Sequence, residues 1–243
     1  TNTNTKILVE LYYEAQCPAC RETITTSFRE AMNAPGFLDM ADITLVPYGN
    51  AQETKNRNGK EQGWWNFTCQ HGPSECRYNA VEACALQHSP TTTTTTSTST
   101  ISEEEDDDDE DTTTAFLLLT TAAFDFIDCI EHNDQDRTED DIQEIHAVVQ
   151  KCGSLVQWED DQIMAIQQCF VSSEGNGLVH ANAMKTKALD PPHQYVPWIV
   201  AMGQPHTAIV EDQITKSLLN FVCDHYTGPN RSPACDGAAT TTG

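Results

Sequence analysis

Ten cysteines in 243 residues constrain this chain more than any other feature. The even count, well above the habit of reducing compartments, points to an oxidising setting in which most thiols pair. One pair stands apart at Cys-x-x-Cys spacing, Cys17-Pro18-Ala19-Cys20, and the other eight are Cys69, Cys76, Cys84, Cys129, Cys152, Cys169, Cys223 and Cys235. Those eight are expected as structural disulfides. Spacing does not fix connectivity, but Cys152 with Cys169 would staple two successive helices and Cys223 with Cys235 would tie down the C-terminal tail.

The sequons Asn66-Phe67-Thr68 and Asn230-Arg231-Ser232 agree with a secretory route, making Asn66 and Asn230 candidate glycosylation sites. A formal net charge of -24, from 37 acidic against 13 basic residues, argues against nucleic acid or an anionic membrane as partner. No stretch approaches the ~18 apolar residues of a membrane-spanning helix. No leader is visible, so the chain reads as mature or truncated, with residues 1–5 as a loose start.

The Cys17–Cys20 pair has a context suited to redox chemistry. Ile7 to Tyr13 is an apolar run rich in β-formers and leads straight into Cys17. Ile24, Phe28, Ala31 and Met32 then fall on one helical face, and Asn33 to Gly36 supplies a stop. A strand entering a helix at Cys-x-x-Cys is what thiol–disulfide exchange needs, with Cys17 attacking as a thiolate and Cys20 resolving the mixed disulfide. The helix N-terminus should depress the Cys17 pKa, with Arg21 the close cation and Glu14 and Glu22 opposing. A zinc site would need a second ligand pair at short spacing, whereas Cys69, Cys76 and Cys84 are seven and eight residues apart, so no metal is expected.

Further on, Ile43 to Tyr48 reads as a second strand, and Asn58-Gly59 marks a turn before Trp64 to Phe67. Residues 73–189 have helical character, with apolar positions at Ile142, Ile145, Val149 and at Ile163, Ile166, Phe170. Within them, residues 91–114 form a threonine and acid tract with Ile101 its single apolar residue, which reads as a disordered loop. The nine-residue acidic run Glu103 to Asp111 lacks the spaced glycine pattern of a calcium loop. β-like composition returns at Val196 to Met202, a turn follows at Gly203-Gln204-Pro205, and a helix covers about Ile214 to Val222. The two β-rich ends should form one sheet.

The stretch Cys69-Gln70-His71-Gly72-Pro73-Ser74-Glu75-Cys76-Arg77-Tyr78-Asn79, continuing to Glu82 and Cys84, closely resembles the signature of the gamma-interferon-inducible lysosomal thiol reductase family. The resemblance extends to Val9 to Glu14, Pro47 to Ala51 and Tyr195 to Trp198. It implies an α/β chain of thioredoxin-like fold, residues 1–72 and 190–243, with a disulfide-stapled helical insertion at 73–189. It also implies a reductase acting on disulfide-containing proteins in lysosomes or endosomes, with secretion as the other setting. The active pair would be Cys17 and Cys20, and Val196 with Pro197 would match the position where thioredoxin-like folds hold substrate beside a cis-proline. No cofactor is expected beyond an external thiol reductant such as cysteine or glutathione. His71 is a candidate catalytic residue set against a turn-shaping role, Glu75 and Asn79 are expected to bond local backbone, and one of Trp64 and Trp65 should be core with the other at its edge. Two other functions stay open: a disulfide oxidase or isomerase, and a binding module in which the Cys17–Cys20 bond is merely structural.

Overall fold

The computed structural model of the chain describes residues 6–56, 64–89, 119–133 and 141–236. The 91–114 tract, the Asn58-Gly59 turn and the 1–5 start lie outside these residues. Strand β1 (Ile7–Tyr13) takes the position its composition suits, the buried centre of a three-stranded sheet. It pairs in parallel with β2 (Ala41–Pro47) and antiparallel with β5 (Trp198–Ala201), so the two ends of the chain meet in one sheet. A short hairpin, β3 (Gln52–Lys55) against β4 (Trp65–Thr68), forms a second sheet.

The Cys17–Cys20 pair follows β1. Helix α1 (Pro18–Thr23) has Pro18 in its first turn, where a missing N–H costs nothing, and Cys17 as its N-cap. The single helix that periodicity suggests is interrupted by a π-helical turn at Ile24–Phe28 before α2 (Arg29–Asn33). The reason lies in the threonines: Thr23, Thr25 and Thr26 hydrogen-bond back to the carbonyls of Ala19, Arg21 and Glu22, a competition with the helical ladder that bends helices. The Ser27 hydroxyl donates to the Ile214 carbonyl and accepts from the Leu218 amide at 2.8 Å. That bond pins the π turn to the C-terminal helices. They are α9 (Ala208–Lys216) and α10 (Leu218–His225), not one continuous helix, because Ser217 leaves helical backbone to cap α10 through the Asn220 amide. A four-residue helix, α3 (Phe37–Met40), precedes β2.

The middle of the chain is helical: α4 (Pro73–His88), α5 (Thr121–Asn133), α6 (Ile142–Leu155), α7 (Asp160–Cys169) and α8 (Ser173–Lys187). Two buried clusters result. One collects residues of β1, β2, α1, the π turn, α10 and β5 such as Val9, Leu11, Phe28, Ile199 and Val222. The other collects α4 and α6 to α8 around Tyr78, Val149, Ile166 and Phe170. Helix α5 joins them, placing Phe124 and Ile127 in the first and Phe126 and Ile130 in the second. No helix among the described residues is long and apolar enough to cross a membrane.

Four disulfides staple this arrangement. Cys69 is bonded to Cys76, Cys84 to Cys169, Cys129 to Cys152, and Cys223 to Cys235. The expected Cys152–Cys169 bond does not form. Helices α6 and α7 already meet at Gly153, where a Cβ would lie 2.4 Å from Ile163 Cγ1. Cys152 turns instead to α5 and Cys169 to α4, so the bridges tie α4 to α7 and α5 to α6.

The Cys84–Cys169 bond closes a long loop, 85 residues of sequence separation, so its loss should be felt through the unfolded chain as well as the packing. Replacing both cysteines with alanine is expected to cost about 4.5 kcal/mol, or roughly 9 to 18 °C of Tm for a chain of this size. Calorimetry of the oxidised double variant checks this, and a loss below about 3 °C would contradict the loop-closure account.

Candidate redox site

Three strands have an end beside the Cys17–Cys20 pair. Tyr13 at the end of β1 lies opposite Pro47 of β2, and Tyr12 is in register with Trp198 at the start of β5. The segment Glu14 to Cys17, the Tyr48 to Asn50 turn and the Val196–Pro197 step therefore share one end of the sheet. The Val196–Pro197 peptide is cis, and Val196 packs against the cluster that contains Cys17 and Cys20.

The Glu14–Cys17 segment is irregular, with Gln16 at φ 68°, and needs outside partners for its buried polar groups. Helix α4 supplies them. Asn79 Oδ1 accepts from the Ala15 amide at 3.0 Å, Ser74 Oγ accepts from Gln16 Nε2 at 3.1 Å, and Glu82 accepts from the Tyr13 hydroxyl at 2.5 Å. Ser74, Glu75, Asn79 and Glu82 are all fully buried, a polar stripe at helical spacing facing the loop. The expectation that Asn79 and Glu75 bond nearby backbone describes Glu75, which accepts from the His71 amide at 2.9 Å, but Asn79 reaches backbone 64 residues away.

Cys17 and Cys20 are the free cysteines among the described residues. Cys20 is fully enclosed, and burial pushes its pKa well up, with the neighbouring Cys17 adding to the effect. Cys17 goes the other way, to about 6, chiefly because the Cys20 thiol donates to its sulfur and then because the Cys20 and Ala19 amides do, with a smaller contribution from His71. Arg21 takes no leading part. Its Nε donates to the Glu131 carbonyl at 2.7 Å and lies 3.7 Å from the Glu131 carboxylate. The expected cationic help comes instead from His71, a residue distant in sequence.

His71 sits in the loop closed by Cys69–Cys76 and hydrogen-bonds Glu75 through Nδ1, which also lies 3.8 Å from Glu14 Oε2. Glu14 is fully buried; Oε1 accepts from the Asn50 amide at 2.6 Å, and Oε2 accepts no hydrogen bond among the described residues. Gly49, at φ +56°, makes room, since a Cβ there would fall 2.3 Å from Glu14 Cγ. Burial, then the charge of Glu75, raises the Glu14 pKa to about 7, and burial raises that of Glu75. The donor atoms of Glu14, His71 and Glu75 lie within 4.8 Å of one another, close enough to share a cation. The hydrogen bonds His71 gives Glu75 account for the arrangement as an acid–base cluster.

Trp64 and Trp65 are both half-buried, correcting the expectation of one core indole. Both line a cleft of about 920 Å³ with Phe67, Arg77, His146 and Phe170. The cleft shares Cys69, Gly72, Pro73 and Cys76 with the His71 loop and is not lined by Cys17 or Cys20. Asn66 and Asn230 are exposed, while the Ser232 hydroxyl of the second sequon is buried and donates to the Pro35 carbonyl at 2.6 Å. Local sequence did not show what Glu14, Gly49, Ser74 and Glu82 touch: Ser74 and Glu82 meet the loop only once α4 docks on it, and Glu14 meets Gly49 only where the end of β2 packs beside β1.

Residues 8–156 match the family model described as gamma interferon inducible lysosomal thiol reductase. A Carassius auratus protein named gamma-interferon-inducible lysosomal thiol reductase is 34% identical over 232 residues, covering 94% of this chain and 72% of the relative. Its Mus musculus namesake is 33% identical over 235 residues, covering 96% and 73%. The gamma-interferon-responsive lysosomal thiol protein of Arabidopsis thaliana is 28% identical over 236 residues, covering 97% and 78%.

Proposed function

The chain belongs to the gamma interferon inducible lysosomal thiol reductase family, and from that premise we propose that it reduces protein disulfides through a dithiol made of Cys17 and Cys20, in an acidic endolysosomal setting. The observation that carries the reading is the opposed pair of thiols, one with its pKa lowered to about 6 and one fully buried with its pKa raised. An attacking thiol of pKa 6 is about one tenth thiolate at pH 5, against roughly 0.03% for an ordinary cysteine. Cys20 stays protonated until a mixed disulfide forms, then resolves it, and the dithiol becomes a disulfide that an external thiol such as cysteine or glutathione restores.

In this reading β1, β2 and β5 with α1 form a thioredoxin-like core from residues 1–72 and 190–243, and 73–189 is a helical insertion. The Val196–Pro197 step lines the place where an extended substrate segment lies beside Cys17. His71 adjusts the charge beside Cys17, and Asn66 and Asn230 carry N-glycans. Disulfide-containing proteins are the substrates.

A Cys20→Ser variant is expected to trap substrate as a mixed disulfide through Cys17, and Cys17→Ser to trap nothing, on non-reducing gels with a denatured disulfide protein. Capture by both variants alike would reverse or remove the assigned roles, and capture by neither would favour a structural Cys17–Cys20 bond.

The acidic setting has a thermodynamic counterpart. Glu14 holds its proton more tightly folded, to about 7, than at its ordinary 4.5, so the folded state carries an extra proton between those values and loses stability as pH rises through them. Glu75 acts in the same direction, while His193, its pKa lowered by burial, acts against it. Reduced Cys17 also opposes it, gaining stability from about 6 upward, so the oxidised protein gives the clean comparison. Guanidinium unfolding of that form should show greater stability at pH 5 than at pH 7, and Glu14→Gln should shrink the difference by on the order of 2 kcal/mol. A variant with an undiminished difference would show that Glu14 titrates normally.

A further inference from the structure

The fold buries a carboxyl group next to the Cys17 segment and leaves one of its oxygens without a hydrogen bond among the described residues. Glu14 is wholly enclosed, fixed through Oε1 by the Asn50 amide, admitted by the missing side chain of Gly49, and left with Oε2 unbonded among the described residues, 3.8 Å from His71 Nδ1. Burying a carboxyl costs stability unless its lone pairs are satisfied, so an acid held half-satisfied by dedicated surroundings asks for a use. Its neighbours supply one. The Glu14 backbone is within hydrogen-bonding reach of both redox sulfurs' segment, its carbonyl accepting from the Cys17 amide and its main chain facing the Cys20 thiol.

We propose that Glu14 carries the proton taken up by the thiolate that leaves the substrate. This rests on Cys17 and Cys20 being the redox pair. The charged and titratable groups facing Glu14 are Cys17 from the cap of α1, Glu75 from α4 and His71 from the loop before it; the Gly49–Asn50 turn presents only backbone and an amide. Two carboxyls and a thiol thus share one imidazole, and their full ionisation together is unfavourable.

The chemistry then couples itself. The Cys17 thiolate attacks one sulfur of the substrate disulfide, a Cys17–substrate S–S bond forms, and the substrate S–S electron pair departs on the other sulfur. That sulfur takes the Glu14 proton, leaving a substrate thiol and a Glu14 carboxylate. The attack has removed the negative charge of Cys17, so Glu14 becomes a stronger acid at the moment its proton is needed, which its raised pKa of about 7 makes available below neutrality. In the second step the Cys20 proton passes to the Glu14 carboxylate, the Cys20 sulfur attacks Cys17, and the remaining substrate thiolate leaves to be protonated by water. Two electrons have moved from the dithiol to the substrate, and Glu14 is again an acid.

The test exploits leaving groups. A dialkyl disulfide expels a thiolate of ordinary pKa, ~8.5, that needs a proton, whereas a nitroaryl disulfide such as dithiobis(nitrobenzoate) expels one that is stable without it. Single-turnover rates of both are measured at pH 5 and 7 with the reduced full chain, wild type, Glu14→Gln and Glu14→Asp. Glu14→Gln keeps the shape and the Asn50 contact, and should lower the dialkyl-to-aryl rate ratio by roughly 10- to 100-fold, with Glu14→Asp restoring part of it. An unchanged ratio would overturn the proposal while leaving the redox reading intact. Should Glu14→Gln fail to fold, the wild type alone decides across a series of disulfides: a dependence of rate on leaving-group pKa as steep as that of free thiols in solution overturns it, and a shallower one supports it. A wild type inert to both disulfides, or a Cys17→Ser variant active on them, would instead remove the redox reading and this proposal together.

Discussion

The loop that leads into Cys17 exists in its present form because helix α4 meets it with polar atoms in the right places. Glu14 to Cys17 can be neither strand nor helix, since Gln16 lies at positive φ and Cys17 must begin α1, so its buried amides and side chains have to be satisfied from outside. Asn79, Ser74 and Glu82 do that from a single helical face. Removing one partner of such a buried bond costs about 1–3 kcal/mol because the other is left unpaired. The disulfides secure the frame, Cys69–Cys76 at the entry to α4 and Cys84–Cys169 near its end.

That frame explains how an acidic chain can sustain a thiolate. Burial of the sulfur, the nearby Glu14 and the net charge of -24 all oppose ionisation of Cys17. Short-range donors outweigh them: the Cys20 thiol and two helix-start amides hydrogen-bond the sulfur and His71 adds a smaller electrostatic contribution, whereas the diffuse charge of the rest of the surface is screened over about 8 Å at physiological salt. The same enclosure separates the two thiols, since Cys20 faces the core.

What could be read from the sequence follows from the range of the interactions responsible. The β1 run, the Cys17–Cys20 pair and the pairing of Cys223 with Cys235 are local signals, and β1 spans the residues its pattern marks. Helix α4 had no such pattern, because its buried side carries Glu75, Asn79 and Glu82 in place of aliphatic residues, and hydrophobic periodicity cannot register a polar face turned inward. The resemblance of the 69–84 signature marked those residues without saying what they touch. Connectivity of Cys84, Cys129, Cys152 and Cys169 depended on which helix faces which, and the breaks at Ile24 and Ser217 depended on hydroxyls competing with the helical ladder. Glu14 and Gly49 come together only when the end of β2 packs beside β1, contacts that no window of sequence contains.

The central claim is that α4 holds the loop in the one geometry that stabilises the Cys17 thiolate. Thiolate absorbance near 240 nm, followed from pH 4 to 9 in the reduced protein and in Asn79→Ala, tests it most directly. The account predicts a single thiolate with a midpoint near 6 in the wild type, moving toward the ordinary thiol value of about 8.5 once Asn79 no longer holds the Ala15 amide. A wild-type midpoint near that ordinary value, or an Asn79→Ala midpoint still near 6, would contradict it.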